Sequence, residues 1–170
     1  KSLKKKINVF CEKPLTNNIN KDKELFNLAK NKNCKLYVSD IENFKKIKIK
    51  LKKENKIFRS KFSLDKKNIL QRLAYHDFTY LYKSIKNKKI SNYKILKKKS
   101  GVLNISISLD KKKFQLNYNL NMKRRLHTIN GINLIKKKNF LKIMLEKVIS
   151  NKVNFENNKK ISLFANSAIN

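Results

Sequence analysis

Two short groups of residues in this chain have types and spacing suited to chemistry. The tripeptide Glu12-Lys13-Pro14 follows an apolar run, Ile7-Asn8-Val9-Phe10-Cys11, and precedes a segment with helical spacing. A strand that ends in Glu-Lys-Pro and turns into a helix holds an ammonium at the rim of a parallel sheet. Open α/β sheets bind ligands there, outside the carboxyl ends of the strands. The second group, His76-Asp77, lies inside another strongly periodic stretch. An imidazole and an ammonium brought together make a proton-transfer pair: His exchanges a proton near neutral pH, and Lys sets a positive charge beside a developing alkoxide. Helical spacing of i, i+4, i+8 places Arg72, His76 and Tyr80 on one face. Plainer readings stand beside these. Glu-Lys-Pro in a Lys-rich chain also suits an exposed turn, and His76 also suits a half-buried position satisfied by a backbone carbonyl.

The elements that must position these groups follow from pattern. Ile7–Cys11 reads as a buried strand. Asn18 or Asn20 suits a helix N-cap, Asp22 and Glu24 suit the first turn, and Leu25, Leu28 and Ala29 give an inward stripe. Asn31-Lys32-Asn33 ends that helix, and Cys34–Val38 forms a second strand. A strand–helix–strand unit implies parallel pairing through a right-handed crossover. After Phe44, Ile47, Ile49 and Leu51 alternate with lysine and predict a strand. A turn at Glu54-Asn55 is expected to lead into an extended run through Phe58 and Phe62. A helix follows from about Asn68 to Lys86, with Leu73, Ala74, Phe78, Leu81 and Ile85 inward. Alternation at Leu103–Leu109 and Phe114–Leu120, with Asp110–Lys113 between, predicts a hairpin. Leu126–Ile129 adds a strand before a turn at Gly131. Amphipathic helices are expected over Phe140–Val148 and Lys159–Ala168.

Composition narrows the function classes. The 170 residues carry a net charge of +33, which by itself points to a polyanion partner such as RNA. The cations argue otherwise: only Arg59, Arg72, Arg124 and Arg125 are arginines, whereas nucleic-acid readers lean on the planar arginine fork. Lysine rises together with Asn and Ile, the signature of AT-rich coding. A Lys-rich nucleic-acid-binding protein of ribosomal type remains the alternative class. Cys11 and Cys34 are too few for a disulfide framework and read as two buried, reduced thiols. His76 and His127 have no neighbours at metal-ligand spacing. No apolar run reaches a membrane span, and Lys1–Lys6 is not followed by the apolar segment of a signal peptide. These features suit a cytoplasmic protein with no membrane partner.

The run Val9–Leu15, the helix after it and Lys35-Leu36-Tyr37-Val38 resemble the Gfo/Idh/MocA family of NAD(P)-dependent sugar oxidoreductases. Leu73–Leu81, containing His76-Asp77, is similar to that family's His-Asp segment. The resemblance implies an α/β plus α+β fold. Residues 1–44 would be the C-terminal part of a Rossmann-type parallel sheet. Residues 45–170 would form a substrate-binding and dimerisation domain, a mainly antiparallel β-sheet with helices on one face. It implies hydride transfer between NAD or NADP and a sugar-like hydroxyl or carbonyl, with His76 as acid–base group and Lys13 beside the reacting oxygen. Glu12, Lys13 and Pro14 would meet the cofactor, and Tyr80, Arg72 and Asp77 the substrate. Association into a homo-oligomer through the sheet is also implied. Two departures stand out. The Gly-rich turn that cradles pyrophosphate is not here, since the two glycines, Gly101 and Gly131, come late. Arg72 stands where the family commonly carries Asp. The chain therefore reads as a piece of a longer protein that holds a dinucleotide poorly by itself, or as a non-catalytic, degenerate member.

Overall fold

A computed structural model describes residues 1–45 and 47–169; Lys46 and Asn170, both within the expected second domain, lie outside the described residues. The first apolar run forms β1 (Val9–Cys11). Asn18 then starts α1 (Ile19–Asn31) by accepting from the amides of Asn20 and Lys21 at 2.9 and 3.2 Å. An Asn at this place satisfies amides that the first helical turn leaves without partners. Asn33, with φ of 52°, turns the chain out of the helix. The chain then enters β2 (Leu36–Val38), which pairs with β1 in parallel as expected. Leu3, Phe26, Ala29, Leu36 and Val38 close a small core between this pair and α1.

The remaining elements surround a six-stranded sheet. In chain order they are β3 (Glu54–Ser60), a π-helical turn at Leu70–Ala74 running into α2 (Tyr75–Ser84), β4 (Ile90–Lys99), β5 (Val102–Leu109), β6 (Lys112–Asn119), β7 (Leu126–Ile129) and β8 (Ile132–Asn133). They end with α3 (Phe140–Ile149) and α4 (Phe155–Ser167). The strand order is β4-β5-β6-β3-β7-β8. Every neighbouring pair is antiparallel except β3–β6. Ile57, Ile105, Ile107, Phe114 and Leu116 are buried on one face under Phe78 and Leu81 of α2 and Phe164 and Ala165 of α4. The alternate residues, such as Ser106, Gln115 and Asn117, present a polar second face.

Helix α4 ties this sheet to the β1–β2 pair. The Asn158 side chain accepts from Val38 N at 2.9 Å and donates to Val38 O at 2.8 Å, taking the place of a neighbouring strand along β2. Asn166 donates to Asp22 of α1 at 2.5 Å, and Tyr75 of α2 donates to Ser162 at 3.0 Å.

Several expectations need correction. Ile47, Ile49 and Leu51 form no strand; they lie in an extended, unpaired segment packed partly buried against the core. Alternation reports one wet and one dry side, and an extended segment lying on a core has both without a ladder. Glu54-Asn55 opens β3 rather than making a turn, and Phe62 is exposed beyond its end. The hairpin turn is only Asp110-Lys111, both with positive φ. Strand β4 was not foreseen. Its residues are nearly all exposed, it carries lysine at 94 and 97–99, and its register with β5 slips twice. An edge strand held mainly by backbone bonds shows no hydrophobic period, and edge lysines discourage pairing with other chains. Cys11 and Cys34 are free but half-buried rather than buried.

Candidate active site

β1 and β2 end side by side at a cleft of about 510 Å³. Glu12 follows β1 and Ser39 follows β2, and both line it. His76 of α2 lines its far side. Two residues from distant parts of the sequence, Glu12 and His76, thus meet in one concavity at the carboxyl ends of parallel strands.

Lys13 is fastened rather than free. Its ammonium donates to the carbonyls of Gln71 and Arg72, at 2.6 and 3.2 Å, within the π turn that leads into α2. This fixes β1's end against the helix one turn before His76. Burial, with the charges of Arg59, Lys61 and Arg72 nearby, lowers the Lys13 amine to about 8. Lys13 does not itself line the cleft. The peptide bond between Lys13 and Pro14 is cis. His76 Nδ1 is buried without a hydrogen-bond partner among the described residues. Burial, then the charges of Arg59 and Lys13, hold its imidazole well below 6.5, so it is neutral at pH 7.

Three expected substrate contacts lie elsewhere. Arg72 pairs with Asp65 at 2.6 Å and donates to Ser63, away from the cleft. The π turn explains this: its wider coil puts Arg72 out of phase with His76. Tyr80 donates to the Ile47 carbonyl at 2.9 Å and lines a different cleft. Asp77 is fully buried beneath the site.

Asp77 belongs to a charge network that was missed. Arg59 of β3 reaches Asp77 Oδ1 at 3.1 Å and Glu42 Oε1 at 2.7 Å. Lys45 lies 2.6 Å from Glu42, and His127 Nε2 lies 2.7 Å from Asp77. Burial alone would raise both carboxyls, but His127 and Arg59 hold Asp77 below its ordinary range, and Arg59, His127 and Lys45 do so for Glu42. A signal existed in the sequence. Asn55, Ile57 and Arg59 share the inward phase of β3, and His127 and Ile129 share that of β7. A charged residue in the inward phase of a strand needs a buried counter-charge.

The site and fold define an α/β plus α+β arrangement in which a parallel-strand edge faces a helix on a mixed sheet. Comparison with known proteins agrees. Residues 1–40 match the model of the Gfo/Idh/MocA family, described as an oxidoreductase family with an NAD-binding Rossmann fold. No curated protein matches the sequence. Among solved structures, the UDP-N-acetylglucosamine 3-dehydrogenase of Acidithiobacillus ferrooxidans superposes with a TM-score of 0.77 at 11% identity, over 96% of this chain and 68% of that one. The WlbA dehydrogenase of Thermus thermophilus, in complex with NAD and α-ketoglutarate, gives 0.69 at 10% over 99% and 66%. A dehydrogenase of Clostridium difficile gives 0.70 at 13% over 96% and 69%. The chain thus spans about two thirds of the length of these proteins. The resemblance to that family is borne out by sequence over residues 1–40, which include Glu12-Lys13-Pro14, and the rest of the chain shares the fold of the similar dehydrogenases. Among the described residues no His, Cys, Asp or Glu group is arranged to hold a metal, and no helix is long and apolar enough to cross a membrane.

Proposed function

We propose that this chain is the substrate side of an NAD(P)-dependent oxidoreductase acting on a sugar-like alcohol or its carbonyl. The observation that carries this reading is the shared cleft: Glu12, at the carboxyl end of a parallel strand, and His76, from a helix of the second unit, line one concavity. Only part of a dinucleotide fits these residues. Gly101 and Gly131 sit in tight strand–strand turns, so among the described residues no glycine-rich turn cradles a pyrophosphate. In this reading Glu12 meets the nicotinamide end, which NAD and NADP share, and Lys13 and Pro14 shape the rim behind it. When bound, the dinucleotide takes or gives the hydride.

The chain's own residues handle the proton. With Nδ1 of His76 buried, Nε2 is the nitrogen left for a ligand. It takes the hydroxyl proton as hydride leaves the carbinol carbon, and returns it when a carbonyl is reduced. Lys13 holds the rim of the cleft against α2, one turn before His76. The division into residues 1–44 and 45–170, a cytoplasmic location and association through the open face of the sheet belong to the same proposal.

The test is formation of reduced nicotinamide with a panel of sugars and sugar derivatives, by this chain joined to a pyrophosphate-binding half, comparing wild type with His76→Gln. Loss of about a hundredfold or more in turnover, with folding intact, is expected for a general base. The base form of His76 is present above its lowered value, so the wild-type rate should stay flat through neutral pH and fall only well below pH 6.5. Unchanged turnover in His76→Gln would remove it from the chemistry.

A further inference from the structure

The cleft at His76 has a second property. Its cations are Lys45, Arg59, Lys61, Arg125, Lys136 and Lys138, against the carboxylates of Glu12 and Glu42 alone. Lys45 and Arg59 are engaged by the buried carboxylates. The other four, Lys61, Arg125, Lys136 and Lys138, make no ion pair among the described residues. Lysine is everywhere on this protein, so lysine alone would mean little. Arginine is not: two of the four arginines line this cleft, and none lines the other four clefts described. The arginine fork matches the paired oxygens of a carboxylate or phosphate, and Arg125 is exposed and unpaired at the mouth. Asn139, Phe140 and Leu141, the N-terminal end of α3, line the same wall, adding the positive end of a helix dipole.

We infer that the ligand of this cleft is an anionic sugar, one bearing a carboxylate or a phosphate. Its charged group lies against Arg125 with Lys61, Lys136 or Lys138, and a hydroxyl lies at His76. This rests on the proposed site and deepens it. A neutral polyol would leave these four solvent-facing cations without a counter-charge, whereas an anionic group supplies one.

Calorimetric titration at physiological ionic strength tests it, with D-glucose 6-phosphate, D-glucuronate, D-glucose and inorganic phosphate as probes. At least one anionic sugar should bind about tenfold or more tightly than glucose and than inorganic phosphate. Arg125→Gln should weaken that binding about tenfold, while Lys111→Gln, in the β5–β6 turn, should leave it unchanged. The two sugars separate carboxylate from phosphate as the recognised group. No binding of either anionic sugar, equal binding of glucose, or equal losses in Arg125→Gln and Lys111→Gln would overturn the inference. His76→Gln keeps the two claims apart. Loss of anionic-sugar binding in Arg125→Gln but not in His76→Gln would uphold the anion site and remove the hydroxyl contact at His76.

Discussion

Replacing Arg59 by Met tests the charge network beneath the site. Met keeps an unbranched apolar stem and removes only the guanidinium. That group now lies 2.7 Å from Glu42 and 3.1 Å from Asp77, whose side chains are 1% and 0% exposed. Both carboxylates would then be left in the interior with Lys45, His127 and the Tyr118 hydroxyl for support. Removing one partner of a buried ion pair costs about 3–5 kcal/mol, because the remaining charge stays desolvated. For a chain of this size each kcal/mol lowers Tm by about 2–4 °C, so a fall of about 6–20 °C is expected. Urea unfolding at pH 7, followed by circular dichroism, measures the free energy. The acid limb gives a second reading. Both carboxyls are held below their ordinary 3.8 and 4.5 in the folded state, so their contribution is present above those values and is lost as pH falls through the folded ones. In Arg59→Met that acid-dependent loss should shrink. His76, whose imidazole is kept neutral by burial and then by Arg59, should take up its proton at a higher pH, which NMR reads directly. A destabilisation under about 1 kcal/mol, with an unchanged acid limb, would show that the network is solvated and not a buried support.

Asn158→Ala removes both bonds to the Val38 backbone and leaves that amide and carbonyl buried without partners; a loss of about 1–3 kcal/mol in urea unfolding is expected, and a neutral result would mean water replaces the side chain. Lys13 is lowered from 10.5 to about 8, so folding sheds a proton between those values and its contribution to stability rises with pH across that window. The wild-type minus Lys13→Met difference, measured at pH 8 and at pH 10, should become more favourable to wild type, and a flat difference would refute the burial of that ammonium. Ile107→Ala opens a cavity under α2 and should cost about 2–5 kcal/mol by the same unfolding assay.

Much of the frame was legible because its signals are local. The β1–α1–β2 unit follows from a short apolar run, an Asn cap and a stripe of Leu and Ala. The β5–β6 hairpin follows from alternation around Asp110-Lys111, and α3 and α4 from their periodic faces. Glu12, Lys13 and His76 stood out by type and spacing. Elements without a hydrophobic period were missed, as with β4. A period without a partner misled, as at Ile47, Ile49 and Leu51, because alternation describes burial and not backbone pairing.

By itself the sequence determined which residues offer chemistry and which local elements carry them, since both depend on neighbours a few positions apart. Only the tertiary structure decided that Lys13 docks on the carbonyls of a π turn, that Arg72 pairs with Asp65, and that Tyr80 bonds the Ile47 carbonyl, both outside the cleft that His76 lines. It also decided that Glu42, Arg59, Asp77 and His127 converge under the cleft. These outcomes depend on contacts between residues far apart in the chain, and on a change of helical phase that side-chain spacing cannot encode.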